Sequence, residues 1–84
     1  MDELKVIKEL LAKVAFVSPG DIEGDTNLFD DLNIDSLALI ESFVELEKAL
    51  GVRLDPTIFN RDQINTPEKL LILIQKARAG NGIL

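Results

Sequence analysis

The sequence contains no cysteine and no histidine, and these two absences exclude several classes of protein. Without cysteine the chain has no disulfide framework and no thiolate metal site, and we expect it in the cytoplasm. Because histidine is missing as well, a zinc site is not expected. The chain begins with charged residues (MDELK), which predicts neither a signal peptide nor a membrane span there.

The charge is negative and unevenly distributed. A net charge of −6 disfavours nucleic acid as a partner, because its phosphates would repel the protein. Residues 1–50 hold twelve acidic and four basic side chains, a charge of −8, whereas residues 51–84 hold three and five, a charge of +2. The acidic half would steer the protein toward basic patches on other proteins, although acidity also serves solubility.

With 84 residues the chain is expected to form one small domain over 1–80, followed by a flexible tail at 81–84. There are no internal repeats and no strand-like alternation, so the predicted class is all-α. We expect a four-helix bundle of three longer helices and a short third one, with a long loop between the first two. The predicted helices are 2–16, 36–50, 57–64 and one that starts at Thr66-Pro67 and stops at Gly80.

The loop between the first two helices is expected to be ordered, with a helical turn near 27–31. Its length and its apolar residues favour packing over the bundle. Its oxygen-bearing side chains alternate at Asp21, Glu23, Asp25 and Asn27. This pattern is similar to the start of a calcium-binding loop, but Thr26 and Leu32 occupy the positions of the required glycine and glutamate, so no metal site is predicted.

The second predicted helix carries two apolar stripes. The stripe predicted to face the core is Leu39, Phe43, Leu46 and Leu50. The second stripe is Leu37, Ile40 and Val44, and Glu47 lies on the same line of the helix as Ser36. Gly51 is the expected stop.

Ser36 lies at the start of this helix, where either it or Asp35 is the expected N-cap. A capping role alone would account for an Asp-Ser pair. However, the partial positive charge at a helix N-terminus also suits a phosphoester, and the apolar Leu37 beside it gives a visiting protein a contact. A nucleophilic role is disfavoured because the usual histidine base is missing and no Ser-x-x-Lys pattern follows. We therefore expect another enzyme to modify Ser36.

The run over 28–37 (LFDDLNIDSL), with the helix that follows, resembles the acyl and peptidyl carrier protein family. The resemblance implies that Ser36 receives 4′-phosphopantetheine from coenzyme A, that Asp35 is the acidic residue before it, and that a cargo is held as a thioester on the arm. Asn33 stands where this family often has glycine, and asparagine tolerates the left-handed turn that glycine supplies.

The resemblance also implies partners and a docking surface. The partners are a phosphopantetheinyl transferase, an adenylating ligase or acyltransferase, and a downstream acceptor enzyme, each binding transiently to a monomer. The predicted docking residues are Leu37, Ile40, Glu41, Val44 and Glu47.

The stretch 59–67 (FNRDQINTP) resembles the corresponding part of D-alanyl carrier proteins. Fatty-acid carriers usually have a more acidic segment there, which Arg61 does not fit, and they typically have aspartate at the position of Ala38. We therefore expect a free-standing carrier, not an enzyme, with an amino acid as cargo. A polyketide or fatty-acid carrier with another acyl cargo is the alternative, and an unmodified helical interaction module is the alternative of another class.

Overall fold

The computed structural model describes residues 2–54 and 60–79, except the side chain of Arg61. These residues form three α-helices and no strand: α1, Glu3–Ala15; α2, Ser36–Leu50; and α3, Pro67–Ala79. The all-α prediction is confirmed. The four-helix prediction is not confirmed, because the described part of the predicted short helix forms only a 3₁₀ turn at Arg61–Gln63. The rest of that prediction, residues 57–59, and the predicted stop and tail at 80–84 lie outside the described residues.

The ends of the helices follow from local capping. The Asp2 carboxylate accepts from the Lys5 N–H at the start of α1, and the Thr66 hydroxyl accepts from the Lys69 N–H at the start of α3. Gly51 ends α2 in the left-handed conformation, with φ +66°, as predicted. α1 ends at Ala15, one residue earlier than predicted, because Phe16 adopts the left-handed conformation.

The core lies where α1 packs against both α2 and α3. Of the stripe predicted to face the core, Leu39, Phe43 and Leu46 are buried and Leu50 is partly buried. Ile7 and Leu11 of α1 and Leu70 and Ile74 of α3 complete its centre. Burial of these apolar side chains is the main stabilising contribution to a domain of this size.

Arg78 shows how the helices are oriented. Its guanidinium forms an ion pair with Glu3 and donates to the Leu50 carbonyl at 3.1 Å. The N-terminus of α1 and the C-termini of α2 and α3 therefore meet at one end of the bundle. It follows that α2 and α3 run parallel to each other and antiparallel to α1. The C-terminus of α1 and the N-termini of α2 and α3 lie at the opposite end, called here the Ser36 end.

The loop between α1 and α2 is ordered, as predicted, and the helical turn predicted near 27–31 is present: the Asp31 N–H donates to the Asn27 carbonyl. A 3₁₀ turn at Pro19–Asp21 was not predicted. Further along, the Leu28 N–H donates to the Asn65 carbonyl at 2.8 Å, which fixes the loop to the residues before α3. Ile22, Leu28 and Ile34 bury their side chains in the core. Among the residues described, no helix has the length and apolar character needed to cross a membrane.

Candidate functional site

Asp35, not Ser36, is the N-cap of α2. Its backbone is extended, with φ −88° and ψ 177°, and its Oδ1 accepts from the Ala38 N–H at 2.8 Å. This satisfies one of the unpaired N–H groups of the first helical turn. Ser36 is consequently the first helical residue, and its hydroxyl is not needed to hold the helix start.

The Ser36 side chain is exposed and forms no hydrogen bond with the rest of the described chain. A modifying enzyme can therefore reach its oxygen without disturbing the fold. The N–H groups of the first turn of α2 carry partial positive charge, which favours a negatively charged group on this oxygen. An exposed hydroxyl at a helix N-terminus is thus compatible with a phosphodiester bond to phosphopantetheine.

The residues before Asp35 determine that the first residues of α2 lie at the surface. Asn33 has φ +55° and is in the left-handed region, in agreement with the prediction. The chain then buries Ile34, whose N–H donates to the Leu28 carbonyl at 2.9 Å. Because Ile34 is fixed in the core, Asp35 and Ser36 project from the surface of the bundle.

The predicted docking residues on α2 include four exposed side chains. Leu37 is 68% exposed, Ile40 44% and Val44 43%, which are high values for apolar residues, and Glu41 is exposed too. The second stripe is therefore at the surface, beside the stripe that forms the core. Apolar side chains clustered at a surface are typical of protein contact sites.

Glu47, the fifth predicted docking residue, is partly buried and already has a partner. Its Oε2 accepts from the Leu54 N–H at 2.8 Å, which ties the segment after α2 back to the helix. Leu54 itself is buried, so this contact fixes where the chain re-enters the core. Nothing in the sequence pattern signals this hydrogen bond, because the chain turns at Gly51 between the two residues.

A second serine of α2 has a different environment. Ser42 is completely buried, and its hydroxyl donates to the Ala38 carbonyl at 3.0 Å. Ser42 lies on a different face of α2 from Ser36, and its hydroxyl is inaccessible to a modifying enzyme. Within the described ranges, no group of three or more carboxylate side chains is placed to hold a metal ion.

The sequence profile of the family described as "Phosphopantetheine attachment site" matches residues 5–74. This range includes all of α2 and most of α1 and α3, so the match covers the whole core and the Ser36 end.

Individual relatives support the same assignment. D-alanyl carrier protein 1 of Lactiplantibacillus plantarum is 29% identical over 77 residues, which cover 89% of this chain and 94% of that protein. The D-alanyl carrier protein of Leuconostoc mesenteroides is 29% identical over 75 residues, or 89% and 95% of the two chains. The polyketide-8 synthase acyl carrier protein 2 of Streptomyces avermitilis is 40% identical over 48 residues, 57% and 55% of the two chains. The chain belongs to the phosphopantetheine attachment site family and is a carrier protein with a covalently bound 4′-phosphopantetheine group.

Proposed function

We propose that Ser36 is the attachment residue and that the protein presents an activated group on the arm to partner enzymes. The main observation in support is that Asp35 and Ser36, although adjacent, have different roles at the start of α2. Asp35 caps the helix, and the exposed Ser36 hydroxyl forms no hydrogen bond with residues 2–54 or 60–79. Once bound, the arm supplies a terminal thiol that holds the cargo as a thioester.

The attachment chemistry requires little from this chain. The Ser36 Oγ attacks the coenzyme A phosphorus that bears the pantetheine, a new P–O bond forms, and adenosine 3′,5′-bisphosphate leaves. The hydroxyl proton is proposed to pass to a base on the transferase, because this chain has no histidine and the neighbouring Asp35 carboxylate accepts from the Ala38 N–H. The contribution of α2 is electrostatic, because the partial positive charge of its N-terminus stabilises the phosphodiester anion.

Four exposed side chains of α2 (Leu37, Ile40, Glu41 and Val44) are proposed to contact the partner enzymes. Glu47 remains a docking prediction, with the Leu54 N–H as a competing partner for its carboxylate. The partners we propose are a phosphopantetheinyl transferase, an adenylating ligase or acyltransferase, and an acceptor enzyme. The protein would act as a carrier without catalytic activity, as a monomer, and in the cytoplasm, where coenzyme A is available.

The domain is proposed to extend over 1–80, with a tail at 81–84. Because the described chain already turns in a 3₁₀ conformation at Arg61–Gln63, we propose that this turn belongs to the short third helix of a four-helix bundle.

The cargo we propose is an amino acid. Two D-alanyl carrier proteins align over 89% of this chain, and the stretch 59–67 resembles that group. A specific observation also favours an acyl cargo: a polyketide acyl carrier protein is 40% identical over 48 residues. The phosphopantetheine-bearing protein is incubated with ATP, an adenylating ligase and either an amino acid or another carboxylic acid, and mass spectrometry then distinguishes the two cargoes. An acyl adduct without any aminoacyl adduct would contradict the first choice.

The attachment site is tested by intact mass. The purified protein is incubated with coenzyme A, Mg²⁺ and a broad-specificity phosphopantetheinyl transferase. We expect wild type to gain the mass of one phosphopantetheine group, and Ser36→Ala to gain none. The matched control is Ser18→Ala, which removes another exposed hydroxyl and should gain the group as wild type does.

Two outcomes would contradict the proposal. A Ser36→Ala protein that still gains the group would place the attachment at another residue. A folded wild type that gains none would favour the unmodified interaction module, in which the apolar stripe of α2 binds a partner helix. Ser36→Ala should melt as wild type does, because Asp35 provides the cap.

A further inference from the structure

Phe16, the residue that ends α1, has an unfavourable backbone conformation. Its φ of 60° and ψ of 42° lie in the left-handed region, where the side chain of an L-residue crowds the backbone. Helices that end in this way usually have glycine, and sometimes asparagine, at this position. Phenylalanine is therefore a poor choice for ending the helix.

The side chain of Phe16 is unfavourable too, because it is 93% exposed. A buried aromatic ring would offset the backbone strain through the hydrophobic effect, but this ring remains almost entirely in water. The left-handed turn does close α1, because the N–H groups of Phe16 and Val17 both donate to the Ala12 carbonyl. The exposed ring, in contrast, contributes nothing to this turn. The turn requires the left-handed backbone but not an aromatic side chain, which adds strain there. A role for the Phe16 ring is therefore expected in a complex.

Phe16 lies at the Ser36 end of the bundle. Arg78 joins the N-terminus of α1 to the C-termini of α2 and α3, which places the C-terminus of α1 at the same end as the N-terminus of α2. Val17, next to Phe16, is 36% exposed, and Leu37, next to Ser36, is 68% exposed. An enzyme that places its active site over Ser36 therefore covers the end of the bundle to which Phe16 belongs.

The chain between Phe16 and Ser36 is strongly acidic. Residues 17–35 include six carboxylates and no lysine or arginine. All six side chains are exposed: Asp21, Glu23, Asp25, Asp30, Asp31 and Asp35. Pro19 and Gly20 lie beside Asp2 and Lys5, so Asp21 belongs to the opposite end, whereas the Gly24 carbonyl accepts from the Glu68 N–H at the start of α3. A partner suited to the Ser36 end must therefore present basic side chains to the other five carboxylates, around an apolar pocket.

We propose that Phe16 is a contact residue for the phosphopantetheinyl transferase, inserting its ring into an apolar pocket bordered by lysine or arginine. This inference rests on the proposed attachment of the arm to Ser36. The transferase binds coenzyme A, whose phosphates require basic side chains around the active site. The surface that approaches Ser36 is therefore basic and complements the acidic residues between Phe16 and Ser36. A buried aromatic anchor surrounded by charged pairs is the usual composition of a binding hot spot.

The test compares stability with transferase kinetics in Phe16→Gly and Phe16→Asn, since both new residues tolerate the left-handed conformation. Both variants should melt at or above the temperature of wild type, because glycine and asparagine relieve the backbone strain at this position. The KM of the transferase for the carrier should rise about tenfold or more, with kcat nearly unchanged, because an aromatic contact made on docking is lost. The matched control is Ile72→Ala, which removes another exposed apolar side chain, 48% exposed on α3, and should leave KM unchanged.

Each contrary result has a separate meaning. Unchanged KM values in both Phe16 variants, with wild type fully modified, would overturn the inference and leave the attachment site intact. A large fall in melting temperature in both variants would assign Phe16 a structural role and overturn it too. Analytical ultracentrifugation could show that wild type is a dimer and that Phe16→Gly is a monomer. The partner of Phe16 would then be a second copy of this chain, which would contradict the proposal. A wild type that is not modified at all would remove the proposed function and this inference together.

Discussion

Replacing Glu47 by alanine removes the acceptor for the Leu54 N–H, which lies 2.8 Å from the Glu47 carboxylate. A hydrogen bond to a charged group contributes roughly 1.5–3 kcal/mol. Because Glu47 is only partly buried, water competes for its carboxylate, and we take the lower limit of about 1.5 kcal/mol. This value is the expected decrease in the free energy required for residues 52–54 to detach locally from α2.

The assay is amide hydrogen exchange of Leu54, followed by NMR. A loss of about 1.4 kcal/mol corresponds to about tenfold faster exchange, so the Leu54 amide in Glu47→Ala should exchange about ten times faster than in wild type. Glu47→Gln keeps an oxygen that accepts, and it should restore most of the protection. The matched control is Glu45→Ala, which removes the same charge from an exposed position of α2 and should leave Leu54 unaffected.

The refuting result is equal Leu54 exchange in Glu47→Ala and Glu45→Ala. That outcome would show that the hydrogen bond does not hold the segment and that the Glu47 carboxylate is free to meet a partner. If instead Leu54 exchange rises as expected, Glu47→Ala also changes the segment after α2. A weaker interaction of this variant with partner enzymes could then result from that change and would not by itself show that Glu47 contacts the partner. The same comparison therefore decides how far Glu47 belongs to the predicted docking surface.

Two further predictions concern the helix that carries Ser36, and both are measured by thermal unfolding followed by circular dichroism. Asp35→Ala should lower the free energy of unfolding by about 0.5–2 kcal/mol, because the cap on the Ala38 N–H is lost. Asp35→Asn should lower it much less. Equal melting temperatures of the two variants would exclude the capping role. Phe43→Ala should cost about 3–5 kcal/mol, because Phe43 is 1% exposed. The adjacent Val44→Ala should stay within about 0.5 kcal/mol, and a similar loss in both would mean that the core face of α2 is wrongly assigned.

The features predicted correctly from the sequence are those set by neighbouring residues. Asp35 lies three residues before the N–H that it caps, and Gly51 supplies its own left-handed conformation. Thr66 and Pro67 start α3 for the same local reasons. Local sequence left open whether Asp35 or Ser36 is the cap, and the structure assigns it to Asp35. Ser36 itself was predicted as the candidate site from the resemblance of residues 28–37 to carrier proteins.

The features that were missed depend on distant parts of the chain or lack a local signal. The hydrogen bond between Glu47 and Leu54 depends on how the chain re-enters the core. The contacts of Arg78 are made to residues far away in the sequence, Glu3 and Leu50. The left-handed conformation of Phe16 could not be predicted, because a residue that ends a helix in this conformation is usually glycine or asparagine. Without that signal, the stretch Ser18-Pro19-Gly20 is the first break in the helical pattern, and the predicted helix extends through Phe16.

The two ends of the bundle have different tasks, and this difference shows where specificity must be sought. At one end Arg78 links all three helices, so substitutions there act on the fold. At the other end Ser36, Leu37 and Phe16 are exposed and contribute little to the core. Substitutions there can change the partner at small cost in stability. If Ser36 carries the arm as proposed, we expect the choice of loading enzyme, and through it the cargo, to depend mainly on exposed residues at the Ser36 end and along α2, and not on the apolar residues that determine the fold.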